Sequence, residues 1–376
     1  MSTPDASVVE ALRKKTPEML DQLSRLVNAE SGSSDLRGIH LCAGIIEEIA
    51  AELTGKGPQR VETDGRVHLL WRFGADKATP GVVLIGHFDT VWPHGTLERW
   101  PFTVDGEAAT GPGAFDMKSG IVQMFHAVAE AGVPDGVACL LTSDEELGSQ
   151  TSRSLIEQVA RGASAALVLE PSVDGALKVA RKGTSMYEIA VEGRSAHAGL
   201  EPEKGANATV ELAHQILAIA AMGKPEVGTT VTPTVASAGT TTNTVPANAL
   251  LHVDVRAETQ AEQVRIDGEI RALQATTHGT TVLVAGGPNR PPFATDASQS
   301  LFEKAQNIAN TYGLGPLGGE AVGGGSDGNF TAGIGVPTLD GLGAVGGKAH
   351  AEGEWVHIPS MAERAALVAA LLRELT

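Results

Sequence analysis

The sequence predicts an α/β fold, a mostly parallel sheet flanked by helices, interrupted by a smaller inserted α+β domain. Three observations predict it. Short continuous apolar runs at residues 81–85, 137–142 and 165–169 alternate with stretches of helical periodicity. That is the pattern of parallel strands buried on both faces. Near residue 177 the order changes to strand, helix, strand, strand, helix, strand, as in a split-βαβ, ferredoxin-like unit. Glycine is abundant, 45 of 376 residues, and aromatic residues are scarce at 4%, which suits many tight strand-to-helix turns.

Taken in order, residues 6–28 set Val9, Leu12, Met19, Leu20, Leu23, Leu26 and Val27 at helical spacing. Residues 36–53 do the same with Ile39, Cys42, Ile45, Ile46 and Ile49. Both read as amphipathic helices. Strands are expected at 67–73 and 81–85, then a helix over 117–131 after the glycine turn 111–114, then strands at 137–142 and 165–169. The inserted domain reads as strand 185–192, helix 204–221, strands 229–238 and 249–257, helix 261–276 and strand 280–285. A helix from 296 to Tyr312, a glycine-rich loop through Gly325, a strand near 336–339 and a helix from Ser360 close the first domain. The expected domains are 1–176 with 292–376, and an inserted 177–291.

Lys and Arg number 28 against 45 Asp and Glu, a formal charge of −17. That balance argues against a protein clamping nucleic acid or anionic membrane over a broad surface. Cys42 and Cys139 are too few for a disulfide framework. The first residues carry no apolar core of a secretory signal, and no apolar run reaches the roughly 18–20 residues of a membrane span. A soluble protein of the reducing cytoplasm is the expectation.

The chemistry-bearing residues follow the strands. Gly86-His87-Phe88-Asp89 follows the first buried run, Ser143-Asp144-Glu145-Glu146 the second, and Glu170 ends the third. Ligands of open α/β sheets bind beyond the carboxyl ends of strands, so these groups should converge. His87 and Asp89 face the same side of an extended segment, where a carboxylate can hold one imidazole nitrogen while the other binds a metal. Asp116 precedes a helix, and Gly347-Lys-Ala-His350 brings another imidazole from a loop. Singly, each has a plainer reading: a hydrogen-bonded turn histidine, a solvated acidic loop, a helix N-cap. Together, mixed nitrogen and oxygen donors at strand ends suit two cations sharing a carboxylate.

Several segments come in the order of one family: His87-Phe-Asp89-Thr-Val, Gly111-Pro-Gly-Ala-Phe-Asp116-Met-Lys, Asp144-Glu145-Glu146-Leu-Gly, Leu169-Glu170-Pro171, Ser195-Ala-His197-Ala-Gly, Asn243-Thr-Val-Pro246, Asp254-Val-Arg256 and Gly323-Gly-Gly-Ser-Asp327. On them the chain resembles the dinuclear zinc exopeptidases and amidohydrolases that include glutamate carboxypeptidase (carboxypeptidase G), aminoacylase and succinyl-diaminopimelate desuccinylase. Ser119 departs from the family's usual glycine, in the first turn of the helix, where it does not disturb the matched ligands. The resemblance implies a zinc-peptidase-type catalytic domain with an inserted dimerisation domain and two Zn2+ per subunit, with Co2+ or Mn2+ as substitutes. Asp116 would bridge the ions, His87 and Glu170 completing one site and Glu146 and His350 the other. Asp89 would orient His87, Glu145 would be the general base, and the Asp116–Met117 peptide would be cis.

The resemblance further implies a homodimer in which His197 reaches the other subunit's site, with Asn243 and Arg256 binding substrate. Arg256 would take a carboxylate bidentately, although its plain reading is a surface strand residue. Arg290, in Asn289-Arg-Pro-Pro-Phe293, stands where glutamate-specific relatives carry a second arginine. The expected activity is hydrolysis of an N-acyl amino acid or small peptide, releasing a C-terminal, glutamate-like residue. An N-acyl-amino-acid deacylase or a dipeptidase of the same family is the alternative. A binding protein or an inactive relative is a further one, against which the retained Glu145 argues.

Overall fold

Alternate residues of a strand point to opposite faces, so a run of apolar residues needs cover on both sides. A computed structural model describes residues 4–74 and 79–376. The chain divides into two units, one of residues up to Ala180 with Ala294–Val322 and Ser326–Thr376, the other of Arg181–Phe293 with Gly323–Gly325. In the first, a six-stranded sheet runs in the order Gln59–Thr63, Arg66–Arg72, Val137–Thr142, Val82–His87, Ala165–Val168, Thr338–Leu339. The last four are mutually parallel, and the first two add an antiparallel edge.

The two central strands, Val82–His87 and Val137–Thr142, are buried at every position. Val82, Leu84, Cys139 and Leu141 join one apolar cluster with Ile39, Phe125 and Leu371. These come from the helices Leu36–Thr54, Ser119–Glu130 and Ile358–Leu375. Val83, Ile85, Ala138 and Leu140 join another with Ile156 and Phe330, from Arg153–Ala160 and Gly328–Gly333. Helices thus cover both faces, and the sheet's carboxyl-end loops stay open to chemistry.

Some elements differ from the expectation. The apolar pattern over 6–28 is two helices, Pro4–Lys14 and Thr16–Asn28. Pro17 has no N–H to give and its ring clashes with a preceding turn, so it starts a new helix. The helix expected from 117 begins at Ser119, after an irregular turn, Ala114–Lys118, in which Asp116 has φ −114° and ψ 96°. The closing helix begins at Ile358, with Pro359 in its first turn. Gly346–Gly347 and Trp355–His357 pair antiparallel, which makes the intervening residues 348–354 a hairpin loop.

The second unit is a four-stranded antiparallel sheet in the order Thr230–Ala238, Asn248–Ala257, Gly183–Glu192, Thr281–Arg290. The helices Ala208–Ala220 and Gln260–Arg271 cover one face, where Tyr187, Ile189, Leu251 and Val253 meet Leu212, Ile219, Ile266 and Ile270. Asn207 and Thr259 cap the helices through side-chain oxygens. Buried Glu211 receives the N–H groups of Thr276 and Thr277 and the amide of Gln215. Among the described residues no helix is long and apolar enough to cross a membrane.

Candidate active site

His87 ends the central strand and is buried. Its Nδ1 lies 3.0 Å from the Asp89 carbonyl oxygen. Its Nε2 faces Asp116 Oδ1 at 3.2 Å and Glu170 Oε1 at 3.3 Å. On the other side of Asp116, His350 Nε2 faces Oδ2 at 3.3 Å and Glu146 Oε1 at 3.1 Å. One carboxylate therefore presents one oxygen to each of two imidazoles.

Local backbone puts these groups there. The turn before Asp116 uses Gly113 at φ +73°, a left-handed conformation that glycine adopts freely, and the Asp116–Met117 peptide is cis. A Cβ on Gly343 would lie 2.1 Å from the Leu169 carbonyl oxygen. Only glycine lets that segment approach and donate its N–H to the Glu170 carbonyl at 2.9 Å. Asp89 is fully buried. Its carboxylate accepts the N–H of Glu145 at 3.1 Å, the N–H of Glu146 at 3.2 Å and the Ser33 hydroxyl at 2.8 Å. His87 Nδ1 is 3.5 Å from that carboxylate, so the imidazole is oriented mainly by the Asp89 main chain. Asp144 fastens the following turn through Thr151 and Ser152, and Arg66 and His68 hold the Ser143 peptide.

Glu145 is 8% exposed and Glu170 7%. One ligand atom from each of His87, Asp116 and Glu146 lies within 4.8 Å of the others, as does one from each of His87, Glu145 and Glu170. Lys178 Nζ stands 3.9 Å from Glu170 Oε2. Acids outnumber cationic groups here, and the imidazoles respond. The carboxylates of Asp116 and Glu146 push His350 up to about 11. Burial disfavours a charged His87, but hydrogen bonds to Asp116, Asp89 and Glu170 outweigh it and raise its pKa well above the usual value. A cluster of buried carboxylates is costly without positive charge. This donor set, imidazole nitrogen with carboxylate oxygen, fits divalent cations of the zinc type.

The remaining expected residues belong to the second unit. His197 is exposed on a short strand paired with Thr244–Val245. Its Nδ1 accepts the N–H groups of Gly199 and Leu200, both at 3.1 Å, so the proton of the neutral ring sits on Nε2. Asn243 is exposed beside it, its carbonyl accepting the Ala198 N–H at 2.9 Å. Arg256 makes two 2.8 Å bonds to Asp254. Arg256 and Arg290 both pair with Thr184 in the sheet register, from opposite sides. Paired residues share a face, so the two arginines lie on one side of the sheet, about 10 Å apart by strand spacing.

Glu354 escaped the sequence reading. It is fully buried and accepts four hydrogen bonds, three from the peptide groups of the Asp116 turn. No local pattern marks it, because the groups it holds, Gly113, Phe115 and Asp116, lie far along the chain.

The model of peptidase family M20/M25/M40 matches residues 83–374. Carboxypeptidase G2 of Pseudomonas sp. (strain RS-16) is 32% identical over 99% of this chain and 92% of its own. The chain belongs to peptidase family M20/M25/M40. It is accordingly a hydrolase of metallo-carboxypeptidase-like type in a metal-dependent family. Succinyl-diaminopimelate desuccinylase of Xylella fastidiosa (strain 9a5c) is 29% identical over 78% of this chain and 82% of its own. In fold, the chain is similar to an M20 family metallo-carboxypeptidase from Sulfolobus solfataricus, with TM-score 0.77 at 17% identity over 95% and 99% of the two chains. Such M20 structures combine a catalytic domain with an inserted dimerisation domain.

Proposed function

We propose that this M20 hydrolase cleaves the amide bond of an N-acyl amino acid or small peptide and releases a C-terminal, glutamate-like amino acid. The observation that carries the metal chemistry is the Asp116 carboxylate divided between His87 and His350. His87 and Glu170 would hold one zinc ion and His350 and Glu146 the other, with Asp116 between them. When bound, such a pair acidifies a water towards neutral pH and polarises the scissile carbonyl. Glu145 takes the proton of the attacking water and delivers it to the leaving nitrogen. Asp89 keeps that base in place through the Glu145 N–H. In a homodimer, the partner subunit's His197 donates a hydrogen bond from its Nε2–H to the developing oxyanion, a role supported by the two N–H groups that reserve Nδ1 as an acceptor.

The leaving group is read from Arg256 and Arg290. Two guanidiniums on one sheet face match the two carboxylates of a glutamate-like residue, with Asn243 completing the substrate contacts. Two buried free cysteines, Cys42 and Cys139, accord with a cytoplasmic enzyme. The test is a panel of N-acyl amino acids and dipeptides assayed with zinc-loaded enzyme, varying acyl and leaving groups separately. A C-terminal glutamate should exceed alanine by roughly 10²-fold or more in kcat/KM, and Arg290→Ala should shrink that margin. Equal cleavage of substrates whose C-terminal carboxylate is amidated would overturn the carboxypeptidase reading.

A further inference from the structure

The hairpin loop that carries His350 ends in a carboxylate with an unusual set of partners. Glu354 Oε1 accepts the N–H of Phe115 at 2.7 Å and of Asp116 at 2.8 Å. Its Oε2 accepts the N–H of Gly113 at 3.2 Å and the indole N–H of Trp92 at 3.0 Å. The Glu354 main-chain carbonyl also accepts the Gly111 N–H at 3.4 Å. Trp92 is itself packed edge-on against Trp100, ring centroids 5.0 Å apart.

All four side-chain partners are donors, and only an acceptor-only group satisfies all of them; an ionised carboxylate is one. The irregular turn gives the Phe115 and Asp116 amides no regular helical pairing, and buried peptide groups without partners are costly. We propose that Glu354 is a positioning residue for the cation pair: it fixes the Asp116 turn so that each Asp116 oxygen faces one imidazole. The loop that supplies His350 thereby also aims the carboxylate that His350 faces. The inference rests on the two-cation reading of the site.

The test measures zinc affinity of the folded protein by chelator competition, alongside thermal melting and kinetics. Glu354→Gln keeps the volume but turns an NH2 group towards N–H donors. With circular dichroism and gel-filtration volume unchanged, it should bind zinc at least tenfold more weakly. Its kcat should recover at saturating zinc, with KM unchanged. Glu354→Asp keeps both acceptor oxygens but withdraws them by one methylene, and provides the reading should Glu354→Gln not fold. It should weaken zinc binding at least threefold. A purely structural role would lower the melting temperature and leave zinc affinity at the wild-type value; that result in either folded variant overturns the inference. Wild-type protein that binds no divalent cation overturns the two-cation reading itself, and the inference with it.

Discussion

Glu145 and Glu146 are neighbours in the chain with different surroundings. Glu146 Oε1 meets His350 at 3.1 Å, whereas Glu145 shares a cluster with His87 and Glu170. Both main-chain N–H groups are tied to Asp89, so the two carboxylates diverge from one fixed peptide. Glu145→Gln should keep both metal ions, by elemental analysis, while turnover falls by roughly 10²–10⁴-fold, as for loss of a general base. Glu146→Gln replaces an anionic ligand with a weaker neutral one, so its metal content should fall and excess zinc should restore part of its activity. Reversal of the two phenotypes would exchange the two roles. The sequence placed both acids after the right strand, but spacing cannot say which of two adjacent side chains faces which neighbour. Nor could it show that the Asp89 main chain, more than its carboxylate, meets His87.

At the level of elements, the strands Val82–His87 and Val137–Thr142 were legible because residues 82–85 and 137–141 are apolar without a break and a doubly covered strand buries them all. The Ala114–Lys118 turn was not legible, since its shape depends on a carboxylate from residue 354, far along the chain. In the second unit, Glu211 shows one element fastened to another. Burial works against its charge, but the Gln215 amide and the Thr277 and Thr276 groups outweigh it and bring its carboxyl down to about 2. A pKa lowered on folding contributes stability above the unfolded value of about 4.3 and loses it as pH falls through the folded value. Glu211→Gln should therefore cost about 1.5–3 kcal/mol in urea unfolding at pH 7. The gap to wild type should close as pH drops from about 4.3 towards 2. A gap that stays constant over that range would show that the charge on Glu211 is not what holds the 276–277 turn.

For the whole molecule, the proposed homodimer can be tested by complementation. His197→Ala and Glu145→Ala should each be nearly inactive alone. After subunit exchange, one site of the mixed dimer keeps its own Glu145 and receives an intact His197, so part of the activity should return. Exchange demonstrated by labelled subunits without such rescue would exclude action across subunits. The side chains proposed to hold the metal ions run from residue 87 to residue 350, all within the first unit, while the second contributes none of them. An unfolded chain cannot gather groups so far apart, so zinc would bind only the folded unit and act on its unfolding as a thermodynamic ligand. Each tenfold rise in free zinc above the dissociation constant should add ~1.4 kcal/mol per ion to that unit alone. In calorimetry, one transition should climb with free zinc and drop with chelator while the other stays fixed. The folded lifetime of the catalytic half would then follow the zinc supply, and zinc scarcity would expose that half, before the other, to proteolysis.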